Sequence, residues 1–451
     1  MTSPTFAKDF VFGAATSSYQ IEGAWNEDGK GESIWDRFAH APGTIEDGAT
    51  GDVACDHVRR YREDIELMAT LGLDAYRFSV SWPRVLPRGI GPANEAGLAF
   101  YDRLVDALLE AGIRPFVTLY HWDLPQALQD RGGWPRRETA DAFCEYAATM
   151  GRRLGDRVKD WTTVNEPFVS AAIGHFEGRH APGHRDERET LATTHHLLLA
   201  HGGAVAILRD VVPDARIGIV NVHQPIHPAS DSEHDQVAAS ETDGLLNRTF
   251  LDPLVGRGYP EVVPYDRSVL HSFVRDGDLE RIAAPLDFLG VNYYTRRIER
   301  STAVPEERNA PRTRFERPGR TEMGWEVYPE GLFETFERLH GDYGFPSYYI
   351  TENGAAYPDT PDASGRIHDP KRIDYHRLHL EQAARIVSAG IPLCGYFAWS
   401  LLDNFEWSFG FTKRFGLIYV DFESGRRRPK DSFSWYREVI GRRSLGGDAA
   451  V

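Results

Sequence analysis

Cysteine is scarce in this chain: three residues in 451, Cys55, Cys144 and Cys394, far apart and forming no C-x-x-C pair. That excludes a disulfide framework and favours a reducing compartment, the cytoplasm. Each thiol reads as a small buried apolar residue. Positive charge is also short, with 51 Lys and Arg against 67 Asp and Glu and a formal charge of −16. A polyanion binder needs a net basic surface, so nucleic acid is not an expected partner. No apolar run approaches the roughly 18 residues that cross a membrane, and residues 1–9 lack the basic-then-apolar order of a secretory signal. No membrane partner is expected. Low-complexity tracts, short repeats and Gly/Ser- or Pro-rich linkers are missing too.

Common chemical motifs are equally absent. Residues 23–31 imitate a phosphate loop, but five residues separate Gly23 from Gly29 and Gly31 stands where Ser or Thr is required. H-E-x-x-H and G-x-S-x-G do not occur. His195, His196 and His201 lack i,i+4 ligand spacing, so a helix-surface role is expected for them. Neither a metal nor a cofactor is expected.

What the chain does contain is alternation. Short apolar runs at residues 11–15, 75–80, 116–120, 161–164, 217–220, 288–291, 348–350 and 395–399 are separated by helical periods. Val58, Tyr61, Ile65 and Met68 form one such stripe, and Leu98, Tyr101, Val105 and Leu108 another, stopped by Gly112. Eight strands with helical connections predict an α/β fold, a (β/α)8 TIM barrel of one domain spanning residues 1–451. The surplus length falls in βα loops at 16–56, 296–324 and 401–415, which would rise over the C-terminal rim where barrel active sites sit. Residues 296–320 are crowded with arginine, which reads as a solvated loop.

Two carboxylates stand at strand ends. Glu166 lies in Asn165-Glu166-Pro167 after the fourth run, and Glu352 in Thr351-Glu352-Asn353-Gly354 after the seventh. Alone, the first reads as a turn in which Pro167 biases Glu166 to extended geometry, the second as a tight Asn-Gly turn. Position changes that reading, because other strand ends are also polar or aromatic. Tyr19-Gln20 follows the first run, Arg77 lies in the second and Trp82 just beyond it, and Tyr120-His121-Trp122-Asp123 closes the third. Asn292-Tyr293-Tyr294 closes the sixth, and Trp399 begins a stretch running through Asp403, Glu406 and Trp407 after the eighth. Indole faces stack on sugar C–H patches while amides, imidazoles and carboxylates bind hydroxyls. Two facing carboxylates are the equipment for cutting a glycosidic bond.

On these motifs, and on Phe10-Val11-Phe12-Gly13-Ala14-Ala15-Thr16-Ser17-Ser18-Tyr19-Gln20-Ile21-Glu22-Gly23 and Phe415-Gly416-Leu417-Ile418-Tyr419-Val420-Asp421, the chain resembles the family 1 glycoside hydrolases, the β-glucosidase family. The resemblance implies Glu166 as general acid/base and Glu352 as nucleophile, held by Arg77 and Tyr294. It implies Gln20, His121, Asn165, Glu406 and Trp407 as glycone contacts with Trp399 as platform, Trp325 and Asn221 on the leaving-group side, and Trp122 and His180 in the surrounding shell. The expected substrate is a small β-glycoside or cello-oligosaccharide, cut with retention and without a cofactor. Retention needs carboxyls roughly 5–5.5 Å apart, one protonated. Glu166 must therefore have a pKa raised to about 6, the push coming from the Glu352 charge. A 6-phosphoglycosidase would need cations where Glu406-Trp407 stand, although Lys413 and Arg414 are close in sequence. A plant-type thioglucosidase typically lacks the acid/base Glu, and a non-catalytic sugar-binding relative usually loses one of the two carboxylates. The choice among glucose, galactose and fucose, the natural aglycone and the oligomeric state stay open.

Overall fold

In the computed structural model, which describes residues 5–305 and 319–446, all eight runs form parallel strands. They are β1 (Val11–Ala15), β2 (Ala75–Ser79), β3 (Arg114–Tyr120), β4 (Asp160–Asn165), β5 (Arg216–Val222), β6 (Phe288–Asn292), β7 (Tyr348–Asn353) and β8 (Leu393–Trp399). Each pairs with its neighbours in chain order and β8 returns to β1, closing a (β/α)8 barrel. Closure removes the edges that would otherwise expose unpaired backbone. β4 and β7 run beyond their apolar stretches, so Asn165 and Glu352 belong to the strands themselves.

Eight longer helices follow the strands: α1 (His57–Leu71), α2 (Glu95–Glu110), α3 (Arg137–Leu154), α4 (Glu187–Val211), α5 (Glu233–Leu246), α6 (Glu330–Asp342), α7 (Pro370–Ser388) and α8 (Asp431–Arg442). Where sequence reading expected unstructured loops, residues 16–56 carry short helices at Ser18–Ile21 and Ile34–His40. The middle of the arginine-rich loop, 306–318, lies outside the described residues. Its N-terminal end is not merely solvated: Arg296 pairs with Glu326 at 2.8 Å and lies over the Tyr328 ring.

α4 corrects two expectations. It holds an 18-residue window of mean hydropathy 1.3, long and apolar enough to cross a membrane, but 89% of that window is buried against the rest of the fold. It packs on α3, β4 and β5. The histidines expected on its surface are likewise buried. His201 Nδ1 meets Thr163 Oγ1 of β4 at 2.7 Å, His195 bridges Tyr259 and Asp278, and His196 faces the Trp134 carbonyl. These imidazoles satisfy polar atoms inside an otherwise apolar layer.

Alternate residues of each strand face opposite ways. Ala75, Phe116, Phe288, Tyr349 and Phe397 point into the barrel, where the Phe116 ring lies 5.2–5.4 Å from those of Phe288, Tyr349 and Phe397. Phe12, Tyr76, Phe78, Val117 and Leu119 point out to the helices. Two of the barrel's register shifts break this alternation beside the two acids. On β4, Thr162 faces in, where it meets Thr118 Oγ1 at 2.7 Å, and Thr163 faces out to α4. Val164 also belongs to the outer layer, and the shift against β5 between Thr162 and Asn165 then returns Asn165 to the interior. On β7, Tyr349 and Thr351 face in, and the shift against β6 brings Glu352, opposite Asn292, inward as well. Bulges commonly re-aim side chains next to active sites. Here each aims one end of a candidate catalytic strand.

Gly354 is a further correction. It follows β7 without a left-handed turn, and an added Cβ would overlap the backbone carbonyl of Trp399. Close approach of the β7 and β8 ends, rather than turn geometry, requires the glycine. Gly354→Ala is expected to lower stability by about 1–3 kcal/mol, the usual cost of overpacking, and to depress turnover with it. Thermal melts and assays of the variant check this; unchanged behaviour in both would refute the close-approach reading.

Candidate active site

The interior face of β2 supplies the anchor. Arg77, 1% exposed, donates from Nη1 to Glu352 Oε1 at 2.6 Å and from Nη2 to Asn165 Oδ1 at 2.7 Å. Tyr294, just past β6, donates from its hydroxyl to Glu352 Oε2 at 2.7 Å, so both carboxylate oxygens are fixed. Asn292 donates to Glu166 Oε1 at 2.6 Å and to Asn165 Oδ1 at 3.1 Å, and accepts from Thr351 Oγ1 at 2.7 Å. One connected set of hydrogen bonds therefore joins β2, β4, β6 and β7 around the two acids. Asn292 was visible as a strand-end polar residue, but its partner was not. Only the pairing across β6 and β7 places it between them.

Glu166 departs from its expected conformation. Its φ is +46°, left-handed rather than the extended geometry that a following proline favours. Its N–H is held by the Val220 carbonyl at 2.8 Å, and its own carbonyl accepts from Val169, opening the π-helical turn Val169–Glu177. Trp122 (φ +80°) and Trp407 (φ +49°) are also left-handed. Such conformations cost of order 1–3 kcal/mol each for non-glycine residues and persist where the surroundings over-determine them.

The acids differ in environment. Glu166 is buried and pushed up to about 8, first by desolvation and second by the Glu352 charge, with Asn292 and Arg77 opposing. The sequence expectation of a raised value pushed by the Glu352 charge holds in direction, and burial contributes more than that charge. Glu406 is also pushed up to about 8, by burial and then by Glu352, with Gln20 opposing. The shift favours the neutral acid, which can donate one hydrogen bond as well as accept. Its Oε2 has no protein partner among the described residues. Burial and the Arg77 charge hold His121 well below the usual imidazole range. Its Nε2 accepts from Asn165 Nδ2 at 3.1 Å.

Both acids open onto one cavity of about 440 Å³. Its wall includes the buried side chains of His121, Trp122, Trp399, Glu406 and Trp407. His121 lies nearly parallel to Trp399 and Trp407 at 6.0 and 5.9 Å. Tyr294, Trp325, Met323 and Phe415 also line the cavity, with Phe168 and Ile173 of the β4 loop. His180 lines it beside Trp122. The loop residues Phe168, Ile173 and Met323 carried no sequence signal.

Four expected residues lie outside the wall. Arg77 reaches it through Glu352, and Asn165 through His121. Gln20 is spent on Asn404 and the Phe405 carbonyl, beside Glu406. Asn221 is buried and donates to the Phe250 carbonyl at 3.0 Å, outside the cavity wall. Trp82, also at a strand end, is core, stacked on Tyr146. No cluster of His, Cys, Asp or Glu suited to a metal occurs among the described residues.

A closed β/α barrel that turns one protonated and one ion-paired carboxyl into a single aromatic-lined cavity is built as a glycosidase. The chain matches the sequence model described as glycosyl hydrolase family 1 over residues 2–445. It is 48% identical over 443 residues to beta-glucosidase A of Acetivibrio thermocellus, covering 98% of this chain and 99% of that one. To a 1,4-beta-D-glucan glucohydrolase of Thermotoga neapolitana it is 46% identical, over 96% of this chain and 98% of the other. A solved structure of Thermotoga maritima beta-glucosidase in complex with deoxynojirimycin superposes with a TM-score of 0.93 at 46% identity, covering 98% of this chain and all of that one. The chain belongs to glycosyl hydrolase family 1.

The electrostatics carry a sign that can be measured. Glu352→Gln removes a negative charge that raises the pKa of Glu166, so Glu166 should titrate at lower pH in the variant than in the unaltered protein. Carbon-13 NMR of labelled glutamate carboxyls reads the shift. An unchanged or higher midpoint would show that the two groups do not interact.

Proposed function

We propose that the protein is a retaining, exo-acting β-glucosidase that removes terminal non-reducing β-D-glucosyl units from small β-glycosides and cello-oligosaccharides. The observation that carries this is the contrast between the acids: Glu166 buried and pushed up to about 8, Glu352 gripped by Arg77 and Tyr294 in the same cavity. In the first step a Glu352 oxygen attacks the anomeric carbon. The bond to the leaving oxygen breaks, and that oxygen takes the Glu166 proton. Esterification cancels the Glu352 charge, so the carboxylate left on Glu166 loses a neighbour that favoured its protonation less than its own burial did, yet enough to matter. Glu166 then takes a proton from water as water attacks the same carbon and the ester bond to Glu352 breaks. Asn165, fixed by Arg77, is suited to hold the sugar 2-hydroxyl as that contact strengthens in the transition state.

The buried Trp399, Trp407, His121 and Glu406 in the cavity wall support recognition of one terminal sugar, which is the exo mode. An unphosphorylated glycone is supported by Arg414, which is committed to Asp403 at 2.7 Å and to the Val420 carbonyl at 2.9 Å. Trp325 is assigned to the leaving-group side, and His180 with Trp122 to the shell behind the glycone. Asn221, tied to Phe250, is assigned an indirect effect on that side through its neighbour Val222, which lines the cavity. The whole chain, residues 1–451, is assigned to one catalytic domain, and its three unpaired thiols suit the reducing cytoplasm.

Glu352→Gly is expected to lose turnover of an aryl β-glucoside and regain it with azide, yielding an α-linked product. Glu166→Ala should damage substrates with poor leaving groups far more than activated aryl glucosides. Near-normal activity in the first, or equal losses in the second, would reject the assignments. A direct comparison of an aryl glucoside with its 6-phosphate should favour the unphosphorylated sugar; preference for the phosphate would reassign the glycone site.

A further inference from the structure

Behind the active site lies a buried cluster of six charges that the mechanism does not use. Asp359 and Asp369 come from the segment after β7, Arg372 from α7, Asp403 and Arg414 from the loop after β8, and Lys430 from the start of α8. Lys430 Nζ contacts Asp403 Oδ1 at 2.7 Å and also Asp359, and Arg372 joins Asp359 at 2.7 Å to Asp369. The cluster balances, three cations against three anions. Arg372 further donates to the carbonyls of Ala355, just past Glu352, and of Arg414.

Asp403 is held from three directions: by Lys430, by Arg414 at 2.7 Å and by the Gly416 N–H at 2.9 Å. The loop it belongs to has only the 3-10 turn Trp407–Phe409 as regular structure between β8 and Ile418. Main-chain hydrogen bonds tie it to Ala15, Gln20 and Ile418, and side-chain contacts complete its placement. On the β1 side Gln20 grips Asn404 and Phe405. Three residues beyond Asp403 stand Glu406, with no cation of its own among its hydrogen-bond partners, and Trp407 in a left-handed conformation. A buried ion cluster adds little net stability over apolar packing of the same volume, but its directed bonds fix geometry.

We propose that Asp403 and Lys430, with Arg414, are positioning residues that set the placement of Glu406 and Trp407 against the glycone and tie it to the end of the strand bearing Glu352. This rests on the glucosidase reading. The cluster then governs which sugar is accepted, acting through the loop and never touching the substrate.

The test uses the full chain with Asp403→Asn, Lys430→Met and Arg414→Met. Each is assayed with an aryl β-glucoside and its 4-epimer, beside thermal melts. A misplaced contact of about 1 Å can cost up to about a hundredfold, so a ten- to hundredfold loss in kcat/KM is expected. It should appear chiefly in KM, with discrimination between the epimers reduced. A lower melting temperature with KM and discrimination unchanged would overturn the proposal, because a purely structural cluster predicts that result. Should the two most buried changes prevent folding, Arg414→Met decides, its side chain being 19% exposed. Unaltered protein that fails to cleave the aryl β-glucoside would overturn the glucosidase reading and this inference together; intact turnover with unaltered selectivity in the variants overturns this inference alone.

Discussion

The guanidinium of Arg77 is the constraint on which the site depends. Fully inside the barrel, it must be paired, and its two terminal nitrogens find Glu352 and Asn165. Breaking one partner of a buried pair generally costs about 3–5 kcal/mol, because a charge is left uncompensated. That cost keeps the ends of β4 and β7 at a fixed separation from β2. The aromatic residues Phe116, Phe288, Tyr349 and Phe397 fill the barrel interior and deny Arg77 water as an alternative partner.

Around that anchor, one low-dielectric cavity gives its carboxyls different states. Glu352 has a cation and a phenol, whereas Glu166 has an amide and a like-charged neighbour. Opposite environments a few residues from each strand end are what separates proton donor from anion. Glu406 shares the burial of Glu166, and the same Glu352 charge favours its neutral form. Its hydrogen-bonding repertoire towards a sugar becomes donor and acceptor rather than acceptor alone.

The rim loops show how irregular backbone is given definite shape. Gln20 ties the loops after β1 and β8 together, while the Asp403 cluster ties the latter to α7 and α8. Left-handed Trp122, Glu166 and Trp407 all stand at the cavity, and the hydrogen bonds around them hold those strained conformations. Strained Trp122, Glu166 and Trp407 and the Asp403 cluster lie on the C-terminal side of the barrel, where the fold presents its βα loops.

Much of this was legible in the chain. Apolar runs of strand length alternating with helical stripes determined the barrel, since burial follows periodicity. The Asn-Glu-Pro and Thr-Glu-Asn-Gly segments marked the two carboxylates that the structure brings to one cavity, because both stand at strand ends on the same rim. The sequence could not show which residue each strand turns inward, because two register shifts reverse the simple alternation before Asn165 and Glu352. It could not show that Asn292 bridges the acids, that Gly354 exists for β8, or that the α4 histidines are interior. Those facts depend on neighbours distant in the chain. Local composition settles what kind of element forms, whereas partner, burial and proton affinity are set by contacts that exist only once the barrel has closed.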